Sequence, residues 1–288
     1  MTPEGFETTV RKALGAAAEA LAGAGVEDAA RDARRLLAYA MGVAPDRITL
    51  MSDEVVDGDA LMTLGRAVGD RAAGRPVSRI VGGRWFYGRW FEVTDAVLDP
   101  RPETETLVAA ALEEPFARVL DLGTGSGAII VTLLAERADA KGVGSDVSED
   151  AVLVAGRNAA RYSVEDRVVF PASDWWDDIG GRYDLIVSNP PYISVSEMDG
   201  LEREVREHDP RMALTDEGDG LGAYRVIASG AAAFLTPGGR LMVEVGAGQA
   251  GDVAALFEAA GLENIETRAD LDGRERVVLA RSGPKTAL

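Results

Sequence analysis

The chain has 288 residues, 47% of them hydrophobic, and carries a formal net charge of −18 at pH 7. Such an acidic surface repels a phosphate backbone, so direct nucleic-acid binding is not expected. Having no cysteine and a single histidine, His208, the chain cannot form disulfides, thiol nucleophiles, thiolate metal sites or histidine-clustered metal centres; its chemistry falls to carboxylates, amides, hydroxyls, Arg, Lys or a bound cofactor.

Residues Met1 to Glu7 hold neither a basic segment nor an apolar core of the kind a signal peptide has, and no run approaches the ~18 consecutive apolar residues of a membrane span. A cytoplasmic location is the default expectation, and the length suits two domains. Residues 3–73 read as helical. Phe6, Val10, Ala13, Leu14, Ala17 and Leu21 recur at helical spacing up to Gly23 and Gly25. A second face runs through Ala33, Leu36, Leu37 and Ala40 to Gly42, and a third, over Asp57 to Ala73, through Leu61, Leu64 and Val68 with Arg66 and Arg71 on its polar side. No catalytic constellation lies here, so the segment reads as a helical module for recognising a partner.

The pattern changes at Gly74-Arg75-Pro76. Val77 to Val93 is rich in aromatic and β-branched residues with interspersed glycines, which predicts a β-hairpin. Its cluster Trp85-Phe86-Tyr87 reads as core or as one wall of a cofactor pocket. Asp99-Pro100-Arg101-Pro102-Glu103-Thr104-Glu105 is a rigid entry to a helix with acids in its first turn, where the helix dipole favours them. The expected organisation is a helical domain over residues 1–74, a hairpin linker over 75–100 and an α/β domain over 101–288.

From Arg118 strands and helices alternate. The buried strand Val119-Leu120-Asp121-Leu122 runs into Gly123-Thr124-Gly125-Ser126-Gly127 and then an apolar helix through Ile129, Ile130, Leu133 and Leu134. Glycines let the backbone turn sharply and approach a ligand at the free N–H groups of a helix start. No Lys-Ser/Thr pair follows, so this is not a P-loop, and a carboxylate beside the loop suits a cationic group better than a pyrophosphate. The next strand, Gly142 to Asp146, delivers an acid about 20 residues downstream, placed to accept ribose hydroxyls. Glycine loop and acid together signal a nucleoside cofactor. After a helix over Val147 to Arg161, a third strand, Arg167 to Phe170, closes on Ser173-Asp174-Trp175-Trp176. There Asp174 can accept an adenine amino group and Trp175 can stack on its ring, while Trp176 equally suits a cover over the sheet edge.

The fourth strand, Tyr183 to Ser188, stops at Asn189-Pro190-Pro191-Tyr192, because proline has no ladder N–H and stiffens the residue before it. The Asn189 side-chain oxygen and the Pro190 carbonyl can each accept one N–H of a planar NH₂ group, whose nitrogen is otherwise a poor nucleophile, and Tyr192 can pack on that flat group. In a doubly wound sheet the first and fourth strands are neighbours, so this motif and the glycine loop flank one crevice. Ser194 to Gly222 is a long polar connection suited to a lid or partner contact. A helix from Ala223 to Leu235, a strand from Arg240 to Val245, a helix from Ala250 to Ala260 and an antiparallel pair around Asp272-Gly273-Arg274 complete the chain.

Together these motifs resemble the class I S-adenosylmethionine-dependent methyltransferases, and more narrowly the PrmC/HemK family of protein-(glutamine-N5) methyltransferases. The resemblance implies a Rossmann-like domain with a mostly parallel seven-stranded sheet and an antiparallel last strand. It also implies methyl transfer from S-adenosyl-L-methionine, without a metal, to the glutamine of a Gly-Gly-Gln motif in peptide chain release factors. Asp121, Gly123, Thr124, Gly125, Ser126 and Gly127 would hold the methionine part of the cofactor, Asp146 the ribose, and Asp174 and Trp175 the adenine. Asn189, Pro190, Pro191 and Tyr192 would bind the glutamine side chain, with Asn189, Pro190 and Tyr192 catalytic and Asn189 also touching the cofactor. The competing readings are an exocyclic-amine methyltransferase acting on RNA or DNA, a non-catalytic S-adenosylmethionine-binding scaffold and, more remotely, a dehydrogenase.

Overall fold

The computed structural model describes residues 8–283. They form two compact units that divide between Gly82 and Gly83. Phe6, expected on the first helix, lies outside the described residues.

The first unit is helical: α1 (Val10–Gly23), α2 (Ala29–Met41), α3 (Gly58–Ala72) and α4 (Val77–Val81). Thr9 and Asp57 cap α1 and α3, the Asp57 carboxylate accepting from the Ala60 N–H at 2.8 Å. Gly42 ends α2 in the left-handed conformation, φ 65°. The predicted apolar faces meet in one core, with Val10 and Leu21 of α1 against Leu36 and Leu37 of α2 and Leu64 of α3. Arg71 does not lie on a free polar side. Its Nε donates to Asp32 Oδ2 at 2.8 Å, and the Asp32 side chain is only 4% exposed. Removing one partner of a buried pair strands the other's charge, so Arg71→Ala is expected to cost about 3 kcal/mol in urea unfolding of the full chain. Replacing Asp32 by an apolar residue in the same chain should recover most of that loss.

Two boundaries depart from the sequence reading. Val77 to Val81, expected in the hairpin, is α4: Pro76 starts it, Gly82 stops it at φ 77°, and Val77 with Ile80 packs into the helical core, which outweighs β propensity. The hairpin is confined to β1 (Gly83–Phe86) and β2 (Arg89–Glu92). Its two-residue turn, Tyr87-Gly88, has positive φ at both positions (48° and 71°), the twist that matches two paired strands.

The second unit continues with α5 (Glu105–Leu112), β3 (Arg118–Leu122), α6 (Ala128–Glu136), β4 (Lys141–Ser145), α7 (Glu149–Arg161), β5 (Val168–Val169) and β6 (Tyr183–Ser188). Next come α8 (Arg203–His208), α9 (Arg211–Leu214), α10 (Gly222–Phe234), β7 (Leu235–Glu244), α11 (Ala250–Ala259), β8 (Leu262–Ala269) and β9 (Glu275–Ser282). The seven-stranded sheet runs in the order β5-β4-β3-β6-β7-β9-β8. Strands β5 to β7 are parallel, and β9 runs antiparallel between β7 and β8. The middles of its central strands are apolar because both faces are covered, with the polar residues Asp121, Ser188 and Glu244 at or near their C-terminal ends. Leu185 and Val187 point to the face packed by Leu107 of α5 and Ile130 of α6, while Ile186 points to the face packed by Tyr224 of α10 and Phe257 of α11.

The chain winds from β3 outward to β5 and returns to the other side of β3 with β6. The crevice beyond the C-terminal ends of β3 and β6 is therefore a topological switch point, the place where open α/β sheets bind ligands. The segment Ser194 to Gly222, read from sequence as a loop suited to a lid or partner contact, contains α8 and α9 and is pinned by a bridge between Ile193 and Thr215. His208 is the last residue of α8. No helix among the described residues is long and apolar enough to cross a membrane.

Candidate active site

The loop after β3 turns on three glycines with positive φ: Gly123 (69°), Gly125 (54°) and Gly127 (77°). A Cβ on Gly123 or Gly125 would meet no protein atom within 4 Å, so both present bare backbone to open space. At Gly127 a Cβ would instead come within 3.1 Å of the Ala155 Cβ, which fixes how closely the start of α6 packs on α7. The loop is held from below and beside. The Thr124 N–H donates to the Ser145 carbonyl at 2.8 Å, and Asp146 at the end of β4 accepts from the Gly125 N–H at 2.9 Å and the Ser148 N–H at 3.0 Å. Burial raises the Asp146 pKa, with those N–H groups opposing the rise.

Asp121 differs from its expected position beside a ligand. It is fully buried beneath the loop, accepts from the Thr124 hydroxyl at 2.7 Å, and does not line the cavity. Burial pushes its pKa up to about 7, and its Oδ1 has no hydrogen-bond partner. The strand register explains the placement, since Asp121 lies opposite Gly144 and Val187 inside the parallel ladder.

A cavity of about 760 Å³ opens above the loop, within the range of small-molecule and cofactor sites. Gly123, Thr124, Gly125, Ser126, Asp146 and Trp175 line one side, together with the exposed Asp174. Phe86 and Val97 also line it, and Met212 and Thr215 bring the segment after Ile193 into its wall. Trp175 adopts φ 48°, unusual for a bulky residue, and this conformation sets the ring on the cavity wall. Trp176 turns away and stacks on Phe234, with centroids 4.8 Å apart and planes at 8°, while its Nε1 donates to the Val226 carbonyl at 2.9 Å. Of the aromatic cluster, Phe86 is buried core at the cavity's edge and Trp85 is exposed, packed edge-on to Trp90. Asp99 lies buried at the wall and accepts from Arg84 Nη1 at 3.4 Å.

A second recess of about 240 Å³ adjoins the first. Asn189 lines both, with Pro191 on the larger and Pro190 and Tyr192 on the smaller. The motif is anchored from several sides. The Ser188 hydroxyl donates to the Leu122 carbonyl at 2.7 Å, tying the end of β6 to the start of the glycine loop. Gln249 donates to the Tyr192 carbonyl at 2.9 Å and accepts from the Gly246 N–H at 3.0 Å. Asn189 Nδ2 donates to the Thr104 hydroxyl at 3.1 Å. Burial pushes the Tyr192 phenol up to about 12, so it remains protonated at neutral pH.

Sequence reasoning did not single out Glu244, Gln249 or Arg276, all near the smaller recess, and read Thr104 only as part of a helix entry. Arg101, from the same entry segment, donates to Asp209 at 2.6 Å and lines both cavities. A signal for Glu244 existed: an acid directly after Leu241-Met242-Val243, inside a strand buried on both faces, is costly unless it has a use.

Comparison with known proteins fits this geometry. A family model described as the methyltransferase small domain matches residues 101–219, and one described as the PrmC N-terminal domain matches residues 12–82. A solved methyltransferase from Pyrococcus furiosus superposes with a TM-score of 0.53 at 17% identity, covering 69% of this chain and 91% of that one, a likeness of fold alone. The release factor glutamine methyltransferase of Agrobacterium fabrum is 41% identical over 285 residues, covering 96% of this chain and 99% of that protein. The release factor glutamine methyltransferase of Cereibacter sphaeroides is 54% identical over 269 residues, covering 93% of this chain and 97% of that protein. With relatives this similar along nearly its whole length, the chain is an enzyme and belongs to the release factor glutamine methyltransferase family.

Proposed function

We propose that the enzyme transfers a methyl group from S-adenosyl-L-methionine to the side-chain amide nitrogen of the glutamine in the Gly-Gly-Gln motif of peptide chain release factors. The observation that carries this reading is that Asn189 forms part of the wall of both cavities, so one amide faces the space for a cofactor and the space for a flat substrate group. S-adenosylmethionine, when bound, supplies a methyl group on a positively charged sulfur. The larger cavity suits such a cation: Asp146 and Asp174 line it, and the unpaired oxygen of Asp121 lies beneath its floor. Gly123 to Gly127 would hold the methionine part, with Asp121 acting on it from outside the cavity through the loop it anchors at Thr124, Asp146 would hold the ribose hydroxyls, and Asp174 and Trp175 the adenine.

Asn189 Oδ1 and the Pro190 carbonyl would each accept one N–H of the substrate amide, turning its nitrogen towards the larger cavity. Tyr192 would pack on the flat amide, and the ring face favours the positive charge that develops on nitrogen. No strong base is required, because the nitrogen becomes acidic once alkylated. The helical unit would recognise the substrate protein, in the cytoplasm. The rival reading, a base amine of RNA or DNA, gains nothing from the family and is opposed by the net charge of −18.

Digestion of a treated release factor followed by fragmentation mass spectrometry tests the proposal. One added methyl group on the glutamine of the Gly-Gly-Gln peptide is expected, and modification elsewhere in the protein, with that glutamine untouched, would overturn it. The paired tryptophans test the cofactor pocket separately. Trp175→Ala should weaken S-adenosylhomocysteine binding by about tenfold or more, the worth of one lost stacking partner. Trp176→Ala should leave that affinity alone and lower stability by about 2 kcal/mol, since it removes a ring stacked outside the cavity.

A further inference from the structure

A hydroxyl group has one proton to give. Where that proton goes decides which face of a neighbouring amide the hydroxyl can hold. Thr104, at the entry to α5, is buried, and its hydroxyl accepts from Asn189 Nδ2 at 3.1 Å. The same hydroxyl faces Glu244, at the end of β7, and its hydrogen bond opposes the rise that burial imposes on that carboxyl's pKa. Glu244 is 1% exposed, lines the smaller recess beside Asn189, and its Oε2 has no hydrogen-bond partner. A carboxylate can only accept. Facing Glu244, Thr104 therefore donates to it and has only lone pairs left for Asn189, which must present its NH₂ to Thr104 and turn Oδ1 away.

We infer that Thr104 and Glu244 are positioning residues that set the polarity of the Asn189 amide, keeping its oxygen, rather than its NH₂, towards the substrate. This rests on the role proposed for Asn189. With the amide reversed, two NH₂ groups would meet and the substrate would lose the acceptor that orients it. Protonated Glu244 can donate to Thr104 instead, which frees the hydroxyl proton for Asn189 Oδ1 and permits the reversed amide. The groups facing Glu244 are Arg101, Glu103 and Thr104 ahead of α5, Tyr192 after β6, Tyr224 on α10 and Arg276 on β9. Burial, reinforced by Glu103 and opposed by the Thr104 hydroxyl, Arg276 and Arg101, pushes its pKa up to about 7. The deprotonated form is the competent one, so turnover falls as pH drops through that value.

The test compares Thr104→Val, Thr104→Ser, Glu244→Gln and Asn189→Ala in the full-length enzyme, with a release factor as substrate. Thr104→Val is expected to lower kcat about thirtyfold without changing S-adenosylhomocysteine affinity or KM, a loss typical of a misplaced reacting group. Thr104→Ser should restore kcat, and Glu244→Gln should remove the acid limb of the kcat profile. Wild-type kcat in Thr104→Val, failure of Thr104→Ser to rescue, or an acid limb persisting in Glu244→Gln would each overturn the inference while leaving the role of Asn189 intact. Full activity of Asn189→Ala would instead overturn the proposed role of Asn189 on which the inference rests.

Discussion

Asn189→Ala is expected to lower single-turnover methyl transfer by about a hundredfold or more while S-adenosylhomocysteine binds as tightly as before. The size follows from what the side chain would supply. An amide nitrogen shares its lone pair with the carbonyl, and displacement requires it in line with the methyl carbon and sulfur, so orientation carries most of the barrier reduction available to this site. Two acceptors fix a planar NH₂ group, whereas with one the whole amide can pivot about the remaining hydrogen bond. The cofactor cavity keeps its glycine loop, Asp146 and Trp175 in the variant, and for that reason affinity should hold. Asn189→Gln should not rescue, because the added methylene carries the amide away from Thr104, which now lies 3.1 Å from Nδ2. Rapid-quench assays with excess enzyme separate this chemical loss from slow product release.

Asp146→Ala should have the largest effect on the cofactor itself, raising the S-adenosylhomocysteine dissociation constant by about a hundredfold or more in calorimetry. The carboxylate accepts from the Gly125 and Ser148 N–H groups at 2.9 and 3.0 Å, so it shapes the loop that the ligand would meet. Hydrogen bonds to a charged group are worth about 1.5–3 kcal/mol each, and the variant loses those bonds together with the proposed acceptors for the ribose. Asp146→Asn keeps one acceptor oxygen and should fall between the two. Equal affinity in wild type and Asp146→Ala would remove this residue from the proposed binding site.

The local signals read well because each is enforced by a backbone constraint. Prolines end β6 at Asn189, and positive φ demands glycine at 123, 125 and 127. The order of strands placed both beside one crevice, since right-handed crossovers leave few ways to wind a parallel sheet. What the sequence hid were partners far apart in the chain. Thr104 and Asn189 are 85 residues apart, and nothing in either segment names the other. Asp121 was legible as an acid beside the loop, but its burial beneath that loop depends on the register of β3 against β4 and β6. Val77 to Val81 misled because a β-branched run reads as strand until a neighbouring core claims it, and the segment after Ile193 because short helices of α8 and α9 size leave little periodicity.

The central claim, that the acceptor nitrogen belongs to a release-factor glutamine, is tested most directly with tritiated S-adenosylmethionine. The enzyme is incubated separately with a purified release factor, its Gln→Ala variant in the Gly-Gly-Gln motif, and bulk RNA. Label on the intact factor that disappears in the variant, with none on RNA, is the predicted result. Label on RNA alone, or equal label on the factor and its variant, would contradict it.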